Sequence, residues 1–350
     1  MTKTASLYLK GIAILMMLAT HLLFFVQSPN ILSIPLPNGS NVSAYIGYAC
    51  ALCVPVFAFI NGYGLSKVYE GKSLGQIYLY SIKKMGLFLL EYWIILFSLF
   101  VPFYACSVAG AVDWLLILRS LFGWGGVLNP FAWYVYFYLG ILLLLPLLRY
   151  LFPKQALLGL AIGYLPLLIA AFVWGFLDKA DTYTSYRELL VYVVCVLGGF
   201  VFAKYGLVET ARKGLAKIKC DHWWFYLIFT VLGFALTSVV RNVLLFPFTS
   251  LPLIFLGVVL FEKPLPRVPS FIFKWLGVLS MPLWFIHYIF FAPYVNRYLN
   301  LYSMVTSPRI ALAIVLLGLL LCLPLALIYH FLFALPSLLK KKRAISSETK

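Results

Sequence analysis

The fold of this chain is decided by its long apolar stretches, the first of which is residues 5–27, ASLYLKGIAILMMLATHLLFFVQ. A helix needs about 20 mostly apolar residues to cross the hydrocarbon core of a membrane, and this stretch is long enough. It is too long for the apolar core of a typical signal peptide, it contains Lys10 and His21, and no A-x-A cleavage pattern follows it. We therefore predict that residues 5–27 form the first membrane span.

The composition extends this interpretation to the whole chain of 350 residues, of which 64% are hydrophobic and 11% charged. Soluble domains average about 45–50% apolar and about 25% charged residues. A soluble enzyme, a coiled coil and a disordered protein are therefore excluded, and the predicted fold class is an all-α polytopic membrane protein with about ten transmembrane helices. After residues 5–27, hydropathy predicts spans at 42–66, 80–104, 131–152, 154–176, 188–204, 222–240, 243–261, 272–292 and 309–334.

One further apolar segment, residues 114–128, is short and rich in glycine, and we interpret it as an interfacial or re-entrant piece rather than a span. No internal repeat is evident. The domain organisation predicted is therefore one transmembrane domain over residues 1–337, followed by a basic cytoplasmic tail over residues 338–350.

The basic residues predict the orientation of the spans, because cytoplasmic loops of membrane proteins are enriched in Lys and Arg. With ten spans and the N-terminus in the cytoplasm, 21 of the 27 Lys and Arg residues lie inside and 6 outside, so both termini are predicted to be cytoplasmic. The net charge of +17 is then explained by topology and by contact with anionic lipids, and no nucleic-acid partner is expected. The basic loop 205–221 is interpreted as a positive anchor in preference to a nucleotide site.

The six cysteines are scattered, and Cys50 with Cys53 forms a single C-x-x-C inside an apolar span with no second pair. Buried cysteine usually behaves as a small hydrophobic residue. We therefore predict no metal site.

The first span carries an informative pair of ionisable residues, Lys10 and His21, which lie eleven positions apart. On a helix this spacing is about 20° past three full turns and about 16 Å along the axis, so both share one face. One face thus carries a cation at the cytoplasmic mouth and a base within the membrane, which suits an extended substrate with a phosphate end and a reactive end. The alternatives are a snorkelling boundary lysine and a buried histidine bonded to a neighbouring helix.

Other ionisable residues inside predicted spans are Lys83, Lys84, Glu91, His287 and, near the cytoplasmic end of the last span, His330, and such groups are functional candidates by default. His287 is predicted at a depth similar to that of His21; we favour a hydrogen-bonded core or interfacial histidine over a chamber that the two residues line together. Glu91 lies in mid-span, where we favour a Lys or Arg partner over a role in a proton relay.

Several blocks along the chain resemble the membrane-bound acyltransferase-3 family. The first helix has a basic residue and glycine, Lys10-Gly11, followed by an apolar run that ends in His21. Later blocks that are similar to the family, in the same order, are Pro55 to Tyr63 (PVFAFINGY), Ile82 to Lys84, Pro130 to Tyr134 (PFAWY) with Pro146 downstream, Gly199 to Lys204 (GFVFAK) and Leu276 to His287 (LGVLSMPLWFIH). The resemblance covers residues 5–335.

There are departures from the family pattern. Lys10 replaces the common arginine, which keeps the charge but loses the bidentate fork. Leu7 replaces an acidic residue, and Asn61 replaces a serine. The chain resembles the stand-alone members, which have no fused extracellular hydrolase-like domain.

The resemblance implies a multi-pass protein of the plasma or inner membrane that transfers an acyl group, usually acetyl, from cytosolic acyl-CoA to a hydroxyl of a glycan, lipid-linked sugar or small molecule. It implies that His21 is the catalytic base, although an acyl-histidine intermediate is left open, and that Lys10, Lys83 and Lys84 bind the phosphates of the donor. Acceptor or chamber lining is assigned to Asn61, Glu91, Trp133, Tyr134 and His287; for Trp133 and Tyr134 the alternative is an aromatic belt at the membrane interface.

The partners expected are acyl-CoA as co-substrate, the acceptor and membrane lipids, with a homodimer left open and no bound cofactor. The rival function is a transporter or exporter of a polar metabolite or glycan precursor. Missing repeats and few charges within the membrane count against it. A third reading is a family member retained as a non-catalytic partner in a glycan-assembly complex.

Overall fold

The structure, a computed structural model, describes residues 1–25, 42–107, 112–124, 128–152, 154–177, 184–262, 266–290 and 317–334. Within these ranges the chain is overwhelmingly helical and contains no strand. The all-α fold class is therefore confirmed. The predicted tail, residues 338–350, lies outside the described residues.

The α-helices are numbered here in chain order. They are α1 Lys3–Phe25, α2 Val42–Cys50, α3 Cys53–Tyr69, α4 Leu74–Ile95, α5 Val101–Ser107, α6 Trp114–Ser120, α7 Trp133–Leu148, α8 Ala156–Leu177, α9 Thr184–Lys204, α10 Leu207–Lys217, α11 Trp223–Val240, α12 Phe246–Thr249, α13 Leu251–Glu262, α14 Arg267–Val278, α15 Ser280–Ile286 and α16 Leu317–Ala334. A π-helical segment, Leu96–Phe100, joins α4 to α5.

The apolar helices match the predicted spans. Among the described residues, 7 helical segments are long and apolar enough to cross a membrane, and up to 9 if each of two bent pairs is one span. The 22-residue α8 corresponds to the remaining predicted span, 154–176. The prediction of about ten spans is confirmed, and the orientation of the termini stays a prediction.

One predicted helix is broken. Residues 272–292 were expected to form a single span, but α14 and α15 meet at a bend of 64° at Leu279. Pro282 explains the break, because proline lacks the N–H that would bond the carbonyl of Val278 four residues earlier. Pro102 likewise cannot donate a hydrogen bond to the carbonyl of Ser98. There the chain forms the π-helical turn Leu96–Phe100 and continues as a helix.

A second difference concerns residues 205–221, which were expected to form a loop. They contain the helix α10, which turns away from α9 by 71° at Gly206, a glycine with a positive φ of 62°. Hydrophobic and basic residues separate onto opposite faces of α10, and Val208 is buried. α10 is therefore an amphipathic helix rather than an irregular loop.

The described residues of the short apolar segment 114–128 contain no helix long enough to span a membrane, and its interfacial or re-entrant position stays a prediction. Its helix α6 has seven residues, far fewer than a span requires, and Asp113 caps it by accepting hydrogen bonds from the backbone N–H groups of Leu115 and Leu116. Residues 125–127 lie outside the described part of the chain.

The chain divides into two compact units, and the transmembrane domain assigned to residues 1–337 stays a prediction. The first unit comprises Met1–Ile82 with Gly140–Val278, and the second comprises Lys83–Leu139 with Leu279–Lys350. Within the first unit, α3 packs directly on α9: a Cβ on Gly62 would collide with the carbonyl oxygen of Val196, and one on Gly199 with that of Phe59. Small residues let two backbones approach this closely inside a membrane.

We expect cysteines introduced at Asn38 and Ser303 to react with an impermeant thiol reagent in intact cells, and one at Lys213 to react only after permeabilisation. The reason is the enrichment of basic residues on one side of the ten spans. Lys213 is exposed on α10, whereas positions 38 and 303 lie outside the described residues. Native Cys106 and Cys220 are first replaced by serine to remove background labelling. Labelling of the 213 site in intact cells would overturn the predicted topology.

Candidate active site

Lys10 and His21 both lie on α1, which runs without interruption over Lys3–Phe25. The spacing deduced from the sequence therefore holds, at about 16 Å along the axis. Ile14 and Met17, which lie between them on the same face, are completely buried, and His21 itself is only 9% exposed. Leu15, on the opposite face, is exposed. The face that carries Lys10 and His21 is thus turned into the protein rather than towards lipid.

The glycine next to Lys10 has a packing role. A Cβ on Gly11 would lie 2.5 Å from the carbonyl oxygen of Phe273 on α14, and a Cβ on Gly277 of α14 would lie 2.0 Å from the carbonyl oxygen of Leu7. One turn away, the hydroxyls of Tyr8 and Ser270 lie 2.5 Å apart. Lys10 is half-buried beside this helix crossing. The Lys10-Gly11 pair therefore combines a candidate ligand-binding cation with the residue that fixes its helix against α14.

Lys83 and Lys84 lie within α4. α4 begins at Leu74, so both lysines come in its third turn. Lys83 is exposed, and the Lys84 ammonium lies over the Tyr138 ring at 5.7 Å from its centroid. Both belong to the second unit, whereas Lys10 belongs to the first. A shared role of the three lysines in binding phosphate stays a prediction.

His287 is held by its own backbone neighbours. It is completely buried, and its Nδ1–H donates to the carbonyl oxygen of Trp284 at 2.6 Å, with that of Leu283 at 3.3 Å. Its ring also stacks on Phe131 at 5.0 Å. The hydrogen bonds therefore engage Nδ1 with backbone carbonyls of α15. This is the pattern of a structural histidine at a helix end. The contacts support the interpretation of His287 as a core histidine. A chamber shared with His21 stays a prediction.

Trp133 and Tyr134 open α7 within an aromatic cluster of the second unit. Tyr134 is buried, with its ring 5.2 Å from that of Trp284, and Trp133 is half-buried against Phe137 at 5.9 Å. The buried Tyr134 belongs to the packing of the protein rather than to a lipid-facing belt. Stacking on a sugar stays a prediction for Trp133 and Tyr134.

Asn129, which the sequence interpretation missed, holds this cluster together. Its side-chain oxygen accepts from the N–H of Phe131 at 3.0 Å, and its Nδ2 donates to the carbonyl of Phe285 at 3.1 Å. An asparagine directly before a proline is a recognisable cap signal, because its short side chain can satisfy the free N–H groups of the turn that follows.

Asn61 and Glu91 are both half-buried. Asn61 precedes Gly62, the residue at which α3 touches α9. No Lys or Arg reaches Glu91 among the residues that the structure describes. The expected ion pair of Glu91 is thus not found there, and Glu91 stays a candidate for the chamber.

α10 is fixed by an ion-pair network of the first unit. The guanidinium of Arg212 binds Asp221 at 3.0 Å and also pairs with Glu262. Burial raises the pKa of Asp221, but the bonds from Arg212 and Tyr226 outweigh it and hold that pKa below its usual range. This contribution to stability is complete at neutral pH and declines as the pH falls through the lowered pKa. Arg212 is committed to carboxylates, which favours the anchor reading of residues 205–221.

Within the described ranges, no group of three His, Cys, Asp or Glu side chains is placed to hold a metal ion. Cys50 and Cys53 are not joined by a disulfide.

Comparison with protein families matches residues 7–329 to the acyltransferase-3 family, described as an acyltransferase domain. Comparisons with curated proteins and with solved structures found no match. The match covers nearly the whole chain and includes both Lys10 and His21. Together with the apolar helical architecture, it shows that this chain belongs to the acyltransferase-3 family and is a multi-pass membrane acyltransferase.

Proposed function

We propose that the protein is an O-acyltransferase that moves an acyl group, most simply acetyl, from cytosolic acyl-CoA to a hydroxyl of a glycan, lipid-linked sugar or other small acceptor. The observation that carries the proposal is the pairing of Lys10 and His21 on the buried face of α1 in a chain of this family. The protein would act in the plasma or inner membrane.

His21 supplies the acid–base chemistry in this proposal. A ring nitrogen takes the proton of the acceptor hydroxyl while its oxygen attacks the thioester carbonyl. When the tetrahedral intermediate collapses, the carbon–sulfur bond breaks and the leaving thiolate takes the proton from the imidazolium. A histidine has a reference pKa of about 6.5 and can accept and return this proton near neutral pH. Burial of His21 supports this role, because it keeps water away from the thioester.

Lys10 holds a phosphate of the donor in this proposal. The pantetheine arm of CoA is long and flexible, so a phosphate at Lys10 leaves the thioester free to extend along α1 towards His21. The close crossing at Gly11 fixes Lys10 relative to α14 and thereby sets the position of the donor.

Replacing Lys10 with alanine is expected to raise the apparent KM for acyl-CoA about tenfold or more, because a charge-assisted contact is lost. Lys10→Arg should keep or improve the affinity, since arginine retains the charge and adds a fork that suits phosphate. Lys3→Ala is the matched control, as Lys3 is exposed on the same helix. An unchanged KM in a folded Lys10→Ala protein would show that Lys10 only extends its ammonium group to the membrane surface and does not bind the donor.

The activity itself is tested in two steps. Mass spectrometry of surface glycans and lipids from cells with and without the gene identifies the acylated acceptor. Purified protein supplied with that acceptor and acetyl-CoA should then release free CoA thiol in step with acylation. Movement of a solute across vesicles without thiol release would instead indicate a transporter.

A further inference from the structure

A cleft in the first unit lies where the carboxyl ends of α3 and α9 meet the short turn after α7. It has a volume of about 330 Å³ and is lined by both polar and aromatic side chains. These helix ends all fall on the side predicted to be cytoplasmic. From the sequence, Arg149 and Lys204 count among the basic residues predicted to be cytoplasmic, and Lys204 also ends the family-like block GFVFAK, but neither was assigned to a site.

Two cations line the cleft, and their protein contacts leave their charge uncompensated. The Arg149 guanidinium donates to the backbone carbonyls of Tyr69 at 3.4 Å and Lys72 at 3.2 Å. The Lys204 ammonium donates to the carbonyl of Phe152 at 2.6 Å, its one hydrogen-bond acceptor among the described residues. Neither cation forms an ion pair within the described part of the chain. Backbone carbonyls therefore orient both groups without neutralising them.

The rest of the lining supports binding of an anion. Glu70 is the carboxylate at the cleft, but its side chain is 73% exposed and pairs with Lys67 at 3.5 Å. Ser66 adds a hydroxyl, and the rings of Tyr150 and Phe200 add flat apolar surface. The guanidinium lies over the Tyr150 ring at 4.8 Å, which fixes the plane of its fork.

We propose that the Arg149–Lys204 cleft binds a phosphate group carried by a larger molecule. A planar guanidinium presents paired N–H donors that fit phosphate oxygens, and an ammonium adds a compact point charge. The volume exceeds that of phosphate alone and falls in the range of small-ligand sites, about 300–1,000 Å³. Two molecules on the cytoplasmic side carry this group, the nucleotide end of acyl-CoA and the headgroup of an anionic phospholipid. The first of these rests on the proposed function.

The test measures binding rather than turnover, so that it stands apart from the acyl-transfer assay. Purified full-length protein in a neutral detergent is titrated with adenosine 3′,5′-bisphosphate and, separately, with short-chain phosphatidylglycerol. We expect one of the two probes to bind and to raise the melting temperature. The Arg149→Gln/Lys204→Gln double variant should bind it at least tenfold more weakly. Lys213→Gln, which removes an exposed charge outside the cleft, should bind as the wild type does.

The probe that binds shows whether the cleft takes the phosphate of a nucleotide or that of a lipid headgroup. Because Arg149 also holds two backbone carbonyls, Arg149→Lys is made as a second variant that keeps the charge, and binding is compared only among variants that elute as monodisperse protein. The proposal is overturned if the wild type binds neither probe, or if a folded double variant binds as well as the wild type. If the wild type binds one of the probes but releases no thiol from acetyl-CoA, that result would count against the proposed function alone.

Discussion

Replacing His21 with alanine is expected to reduce acyl-transfer turnover about 10²–10⁴-fold, the usual contribution of a positioned acid–base group. Its position supports this expectation, since it is buried on the same face of α1 as Lys10. The apparent affinity for acyl-CoA should change little, because Lys10, the proposed phosphate contact, lies about 16 Å away along α1. The measurement is turnover per folded protein, alongside the melting temperature and the KM for the donor.

A purely structural histidine would give a different pattern. Removing it would lower the melting temperature or the yield, and activity would fall only in proportion to the folded fraction. His222→Ala is the matched control, because His222 is exposed and directly precedes the helical span Trp223–Val240. A well-folded His21→Ala protein with near-normal transfer would refute the catalytic role, and Glu91 and His287 would be tested next.

Among the substitutions proposed here, those at Gly62 are expected to cause the largest loss of folded protein. Even a Cβ at this position meets the carbonyl oxygen of Val196, a backbone atom that cannot rotate away. Overpacking of a tight core costs about 1–3 kcal/mol, so Gly62→Ala should lower the melting temperature, and Gly62→Leu should leave little folded protein. The measurement is the yield of monodisperse protein and its thermal melt in detergent.

Gly64 provides the matched control on the same helix. It is exposed, and a Cβ there would meet nothing within 4 Å. Gly64→Ala should be neutral or slightly stabilising, because alanine favours a helix over glycine by about 1 kcal/mol. Equal losses in Gly62→Ala and Gly64→Ala would contradict the assigned packing of α3 on α9.

Much of the architecture could be predicted because membrane spans are encoded locally. The cost of leaving backbone groups unpaired in lipid forces each long apolar stretch to be helical, so the predicted and observed segments agree. The face shared by Lys10 and His21 follows from helix geometry alone, since α1 contains no proline. The breaks were harder to predict: Pro282 ends α14, whereas Pro102 is absorbed by a π-helical turn, because neighbouring packing decides whether a proline breaks a helix.

The sequence by itself determined the all-α membrane fold, the positions of the spans and the first-helix pair that relates this chain to its family, because hydropathy and helical spacing are local properties. Only the tertiary structure decided which polar groups form hydrogen bonds or ion pairs within the protein, and which ones lie next to each other. It tied His287 to its own backbone, committed Arg212 to two carboxylates, and brought Arg149 to one cleft with Lys204, 55 residues further along the chain. Those partners are distant in sequence, and no periodicity encodes them. They depend on how closely the helices approach, which is set by glycines such as Gly62 and Gly199 at the crossing of α3 and α9.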